Sequence, residues 1–269
     1  MMGNVIGIIA GDDELDRAFF ENSPDLRVLV RWGVGMDSVD HEAALEHGVT
    51  VRNTPGVFGR EVADLAFGYV LSLARGICEV DKAVRRGDWP KFEGVTLAGQ
   101  TIGIVGFGVI GREVAVRARA FGMHVIAYDP YAEAAEQSAS VDFVPLKDLA
   151  ERSRFLVLTC PLTEDTRHLV DSSFFGQMQP DAFLINVARG PVVKEEALVE
   201  ALTSGRIAGA ALDVFEDEPL PSSSPLRALP RVILGSHNGS NTREGVARAS
   251  EKAIEILLHE LEQKWHQEQ

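Results

Sequence analysis

Thr101-Ile102-Gly103-Ile104-Val105 runs straight into Gly106-Phe107-Gly108-Val109-Ile110-Gly111, and a helix-like segment follows. Strand, glycine turn and helix in that order confine the chain to folds in which parallel strands feed helices. Gly106 permits the tight turn, Gly108 lets backbone N–H groups reach a pyrophosphate, and Gly111 lets the helix pack close to the sheet. The helix N-terminus adds partial positive charge where phosphates would sit. Asp129 stands at the end of the next apolar run, 124–128. A carboxylate there accepts hydrogen bonds from ribose hydroxyls and repels a 2′-phosphate, and Pro130-Tyr131 offers no arginine to offset it, so the pattern points to NAD over NADP. An ordinary αβ turn ending in a solvated aspartate remains open for this stretch taken alone.

The rest of the chain repeats the alternation. A first series has candidate strands at 5–9, 27–31 and 49–52, with helices at 13–21 and 40–47. A long helix over 61–85 follows, its apolar positions Val62, Leu65, Ala66, Tyr69, Val70, Leu73 and Ile77 spaced i, i+3, i+4, i+7. The second series has strands at 101–105, 124–128, 155–159, 183–187, 208–213 and 232–235, and helices at 109–121, 146–150, 172–178 and 194–204. A last helix is expected at 243–261. The class is therefore α/β, the second series forming a doubly wound parallel sheet of six strands. The expected domains are 91–240 for dinucleotide binding, and 1–90 with 241–269, including the long linking helix, for substrate.

Lys and Arg number 26 against 40 Asp and Glu, a formal charge of −14. Without a basic run, such a chain is repelled by nucleic acid and by anionic membrane surfaces, so neither is an expected partner. No apolar run approaches a membrane span, and the N-terminus lacks the cationic stretch of a signal peptide. Cys78 and Cys160 are too few and too isolated for a metal site, and read as reduced thiols of a cytoplasmic protein. No metal is expected.

Three polar residues close late strands, where ligands bind in open α/β sheets: Arg189, Glu218 and His237. Each alone has a plain explanation, a surface charge or a structural imidazole. Together they suit hydride transfer to a carbonyl. Here the sequence resembles the D-isomer-specific 2-hydroxyacid dehydrogenases, nearest the phosphoglycerate dehydrogenase and glyoxylate/hydroxypyruvate reductase branch. The resemblance rests on Gly33-Val34-Gly35-Met36-Asp37, Asn53-Thr54-Pro55-Gly56, Val62-Ala63-Asp64, the glycine turn, Cys160-Pro161-Leu162-Thr163, Asn186-Val187-Ala188-Arg189-Gly190, Asp213-Val214-Phe215-Glu216-Asp217-Glu218-Pro219 and His237.

The resemblance implies a Rossmann NAD domain and a smaller flavodoxin-like substrate domain. Arg189 would bind the substrate carboxylate and polarise its carbonyl. His237 would be the general acid in reduction and the base in oxidation, oriented and favoured in its protonated form by Glu218. Asp213 would contact the nicotinamide carboxamide, and the Val34 and Gly35 amides would give a second carboxylate clamp. Thr54, Val109, Ile110, Cys160, Val187, Ala188 and Gly239 match cofactor-lining positions. A homodimer acting on a small 2-oxo or 2-hydroxy acid follows.

Two departures stand out. Ser236 occupies a place where the family usually has proline, and the chain begins about one βαβ unit later than the family does, which implies a shortened first domain with a bare sheet edge. Arg31, Arg52 and Arg60 near the first domain's strand ends would suit a second anionic group, as in 3-phosphoglycerate, or be three solvated arginines. The alternatives are phosphite oxidation on the same residues and, from another class, an NAD(H)-sensing corepressor-like module. Glu218 argues against a formate dehydrogenase, whose histidine pairs with an amide.

Overall fold

A computed structural model describes residues 4–131 and 141–267, within which the chain divides into two compact units, 1–58 with 240–269 and 59–239.

The smaller unit is built on β1 (Gly7–Ala10), β2 (Val28–Arg31) and β3 (Thr50–Asn53), all parallel and in that order. β2 is buried along its length because both of its faces are covered. Leu29 packs with Phe20, Ala43 and Ala44 from α1 (Arg17–Glu21) and α2 (His41–Glu46). Val28 and Val30, pointing the other way, meet Ala253, Ile256 and Leu257 of α9 (Arg243–Gln267). Asp16 and Asp40 cap α1 and α2 by accepting from Phe19 N and Ala43 N, which removes orphan amide donors from each first turn. The helix expected at 13–21 therefore starts only after the Asp16 cap.

The larger unit begins with α3 (Gly59–Arg75) and α4 (Ile77–Arg85). A single helix was expected here, assigned to the first domain. Gly76 breaks it with a left-handed backbone (φ 59°), and a Cβ there would lie 2.6 Å from the Phe92 ring. Ile77, on the apolar stripe by spacing, is consequently 52% exposed. By its contacts α3 falls within the larger unit, where it packs on α5 (Val109–Ala120).

The larger sheet contains β4 (Thr101–Val105), β5 (His124–Tyr128), β6 (Asp142–Phe143), β7 (Phe155–Leu158), β8 (Phe183–Asn186), β9 (Gly209–Leu212) and β10 (Val232–Leu234). Their spatial order is β10-β9-β8-β7-β4-β5-β6, every pair parallel. The six expected strands are present, and β6, two residues long, is the addition. The chain leaves β4 for β5 on one side and returns to β7 on the other, which opens a crevice at the carboxyl ends between them. β7, β8 and β9 are buried throughout, as expected of strands with helices on both faces. Phe155 and Phe183 stack at 5.3 Å between ring centroids, both fully buried.

Truncating Phe155 to alanine removes that stack and leaves a cavity, and should lower unfolding free energy by roughly 3–5 kcal/mol. Denaturant unfolding followed by circular dichroism measures it. A loss under about 1 kcal/mol would mean that this stack is not part of the larger unit's core.

Candidate active site

β8, β9 and β10 lie side by side with Asn186, Leu212 and Leu234 in register. Their carboxyl ends therefore release three loops at one level. Arg189 leaves the first, Asp213 and Glu218 the second, and His237 the third. All four belong to the larger unit.

His237 Nδ1 lies 2.7 Å from Glu218 Oε2. The other carboxylate oxygen of Glu218 accepts from the Phe215 amide at 2.9 Å, so the side chain is held at both ends. Burial pushes the Glu218 carboxyl up, but the hydrogen bonds from His237 and Phe215 N, with the charges of His237 and Arg189, outweigh it and leave the group below its ordinary value. Arg189 is half-buried, with one terminal nitrogen donating to its neighbour Ala188 O at 2.9 Å. A guanidinium, an imidazole and a carboxylate are thus brought together as the sequence suggested.

The scaffolding around them was not foreseen. Asn186, 1% exposed, accepts from Ala188 N and donates to Arg189 O, both at 3.0 Å, and so fixes the backbone that carries the guanidinium. Gly190 lies against the next loop so closely that a Cβ would fall 1.7 Å from Phe215 O. His168 Nε2 meets Glu216 Oε1 at 2.7 Å, a second imidazole–carboxylate pair on the loop that carries Glu218. Asp213, expected at the nicotinamide, is 2% exposed and accepts from Gly239 N at 2.8 Å, Asn238 N at 3.1 Å and the Tyr69 hydroxyl at 3.2 Å. Only the Asn186 contacts had a sequence signal, through the motif that contains them.

The glycine turn has the shape a dinucleotide requires. Gly106 (φ 88°) passes Cys160 so closely that a Cβ would lie 2.6 Å from its amide nitrogen, and one on Gly111 would lie 2.3 Å from Gly106 O. Gly108 is exposed, with nothing within 4 Å of a Cβ placed on it, and it precedes the first turn of α5 without a side-chain cap. That combination leaves a backbone cradle with orphan amides, which suits a pyrophosphate. Asp129, expected at the ribose, accepts from Phe107 N at 2.7 Å and from Tyr131 N at 2.9 Å, so its carboxylate braces the turn. Val109 and Ile110 open α5 beside it, while Val187, Ala188 and Cys160 line the neighbouring strand ends as buried residues. Burial pushes the Cys160 thiol up to about 11, which leaves it a packing group rather than a nucleophile.

The remaining expected residues, Arg60 apart, lie in the smaller unit. Thr54, fully buried, accepts from Gly33 N at 2.8 Å and donates to Gly33 O at 3.1 Å, and Asn53 donates to Val34 O at 2.8 Å. These bonds hold the Gly33–Val34–Gly35 loop, with Val34 exposed. Arg31 is buried and bonds to Asp12 and the Trp32 carbonyl, and Arg52 to Glu260 at 2.7 Å. Arg60, in the larger unit, lies 3.7 Å from Glu113. Each of these arginines has a carboxylate partner.

Two variants of the glycine turn should part company. Gly111→Ala places a methyl against a backbone carbonyl and should cost roughly 1–3 kcal/mol of stability. Gly108→Ala should fold within about 0.5 kcal/mol of the parent yet bind NADH weakly in a fluorescence titration. Parent-like NADH affinity for Gly108→Ala would remove the pyrophosphate from this turn.

Acid should erase the contribution of Glu218. A carboxyl depressed in the folded state stabilises fully above the ordinary carboxylate range and loses that contribution as pH falls through its lowered native value. The stability gap between parent and Glu218→Gln should therefore be widest near neutrality and close on acidification, as read by urea unfolding across pH. A gap that does not change with pH would contradict this electrostatic account.

Residues 67–239 match the family model described as the NAD-binding domain of D-isomer-specific 2-hydroxyacid dehydrogenases. The chain is 41% identical over 253 residues to a glyoxylate reductase of Korarchaeum cryptofilum, covering 91% of this chain and 76% of that protein. It is 40% identical to a D-3-phosphoglycerate dehydrogenase of Methanocaldococcus jannaschii, covering 94% of this chain and 50% of that one. Among solved structures, a D-lactate dehydrogenase from Aquifex aeolicus complexed with NAD and lactic acid superposes with a TM-score of 0.89 at 25% identity, over 98% of this chain and 85% of the other.

Proposed function

Because the chain belongs to the D-isomer-specific 2-hydroxyacid dehydrogenases, an NAD-dependent family, we propose that it reduces a small 2-oxo acid of glyoxylate or hydroxypyruvate size to the D-2-hydroxy acid. The observation that carries the reading is the His237–Glu218 pair at 2.7 Å, with the Arg189 charge felt by the same carboxylate. Similarity to glyoxylate reductases supports the size of the acid.

In this mechanism bound NADH supplies the hydride. Arg189 holds the substrate carboxylate through its planar donors and polarises the neighbouring carbonyl. Glu218 accepts a hydrogen bond from Nδ1–H of His237, which fixes the ring and leaves proton exchange to Nε2. A negative charge beside the ring favours the imidazolium that must be present before reduction. His237 then gives its proton to the carbonyl oxygen as C2 becomes tetrahedral, and takes it back in the oxidative direction. The amides of Val34 and Gly35 keep their proposed role as carboxylate donors, and Thr54 acts through the loop it holds. The proposal extends to Asp129 as the ribose acceptor and Asp213 as the carboxamide acceptor.

A phosphorylated acid is the second reading, favoured by similarity to phosphoglycerate dehydrogenase and by Arg31. The engagement of Arg31 by Asp12 and the Trp32 carbonyl speaks for the unphosphorylated substrate. The same proposal places the enzyme in the cytoplasm as a homodimer. Two cysteines with no disulfide support the first part, and the exposed apolar Ile77 and Val84 of α4 support the second.

NADH consumption with glyoxylate, hydroxypyruvate and 3-phosphohydroxypyruvate tests the reading. Turnover should be greatest with the unphosphorylated acids, and His237→Ala should lower kcat about a hundred- to ten-thousand-fold. NADH binding without turnover of any acid would replace the enzyme with a nucleotide sensor.

A further inference from the structure

Buried carboxylates are normally paired with a cation, and among the described residues none is bonded to the Asp213 carboxylate. Among the described residues its donors are all neutral: two backbone amides, of Asn238 and Gly239, and one phenol, of Tyr69. The amides come from the loop directly after His237. The phenol comes from α3, and among the described residues it is the one side chain hydrogen-bonded to this carboxylate.

What the carboxylate holds is a strained backbone. His237 has φ 54°, a left-handed conformation that a residue with a Cβ adopts only when its surroundings impose it. Those surroundings converge on Asp213: its carbonyl accepts from His237 N at 2.7 Å, and its carboxylate accepts from the next two amides. A carboxylate that rotated would release both amides at once.

We propose that Tyr69 is a positioning residue for the proton-transfer step, fixing the Asp213 carboxylate that keeps the 237–239 backbone in the conformation presenting the imidazole. Tyr69 is 8% exposed, and burial together with the Asp213 charge pushes the phenol far above its ordinary value, so it remains a donor across the working pH range. Tyr69 belongs to the buried stripe of α3 together with Val62, Ala66 and Leu73, as the helical spacing requires. The hydroxyl adds a function that the stripe does not need. A leucine or phenylalanine would satisfy the packing and leave one oxygen of Asp213 without its side-chain partner.

The inference rests on the dehydrogenase reading, so its test includes a measurement that needs neither cofactor nor substrate. Tyr69→Phe keeps the ring and deletes the hydroxyl. Amide hydrogen exchange at residues 237–239 should accelerate in the unliganded variant, while helix α3 retains its protection. With a 2-oxo acid, kcat should fall about tenfold and the KM for NADH should change less. The effect should vanish when Asp213 is already Ala, since the phenol acts only through that carboxylate.

Unchanged exchange at 237–239, or a further loss of kcat that persists in the Asp213→Ala background, overturns the proposal. General loosening of α3 in Tyr69→Phe also overturns it, because the residue would then serve packing alone. If the parent turns over no 2-oxo acid while exchange at 237–239 still rises in the variant, the substrate reading fails and the structural coupling stands.

Discussion

A methyl group on residue 190 would sit 1.7 Å from the Phe215 carbonyl oxygen. No side chain fits there, so the loop bearing Arg189 and the loop bearing Glu218 meet backbone to backbone. Their separation is set by main-chain geometry, which yields less than a side-chain contact would. Parallel pairing of β8, β9 and β10 delivers both loops to that meeting point, and the third loop with them. The buried strands beneath have aliphatic or aromatic cores on both faces, so the platform is stiff for reasons unrelated to chemistry.

On that platform two carboxylates from one loop are given opposite surroundings. Glu218 is half-exposed, faces an imidazole and feels a guanidinium, and its charge is used outwardly. Asp213 is buried and, among the described residues, bonded to neutral donors, two of them backbone amides that its charge fastens. Cys160 shows the same logic in reverse: a potentially reactive group beside the crevice is silenced by burial.

Much of this is legible in the amino-acid sequence. Apolar runs of four or five residues between turn-forming residues located the strands, because a strand covered on both faces must be apolar throughout. The glycine turn and the Arg189–Glu218–His237 set followed from their position after those runs. Gly76 was not readable as a break, since Leu73 and Ile77 continue the helical spacing across it and the clash with Phe92 is a tertiary fact. β6 is too short to carry a pattern. Arg31 announced a charge near a strand end but not its partner, and Asp12 lies far from it in sequence. Tyr69 looked like one more core position, because nothing local to α3 reveals that a carboxylate from β9 lands opposite its hydroxyl.

Asp129 shows how two duties can be welded together. One of its oxygens braces Phe107 N inside the glycine turn, and the same carboxylate is the proposed ribose acceptor. On that proposal coenzyme preference and turn architecture share a single side chain, and drift at this position toward a larger or positively charged residue would dismantle the brace while it relaxed the selection. A lineage carrying this chain could acquire a taste for the phosphorylated dinucleotide only by finding another strut for the turn first.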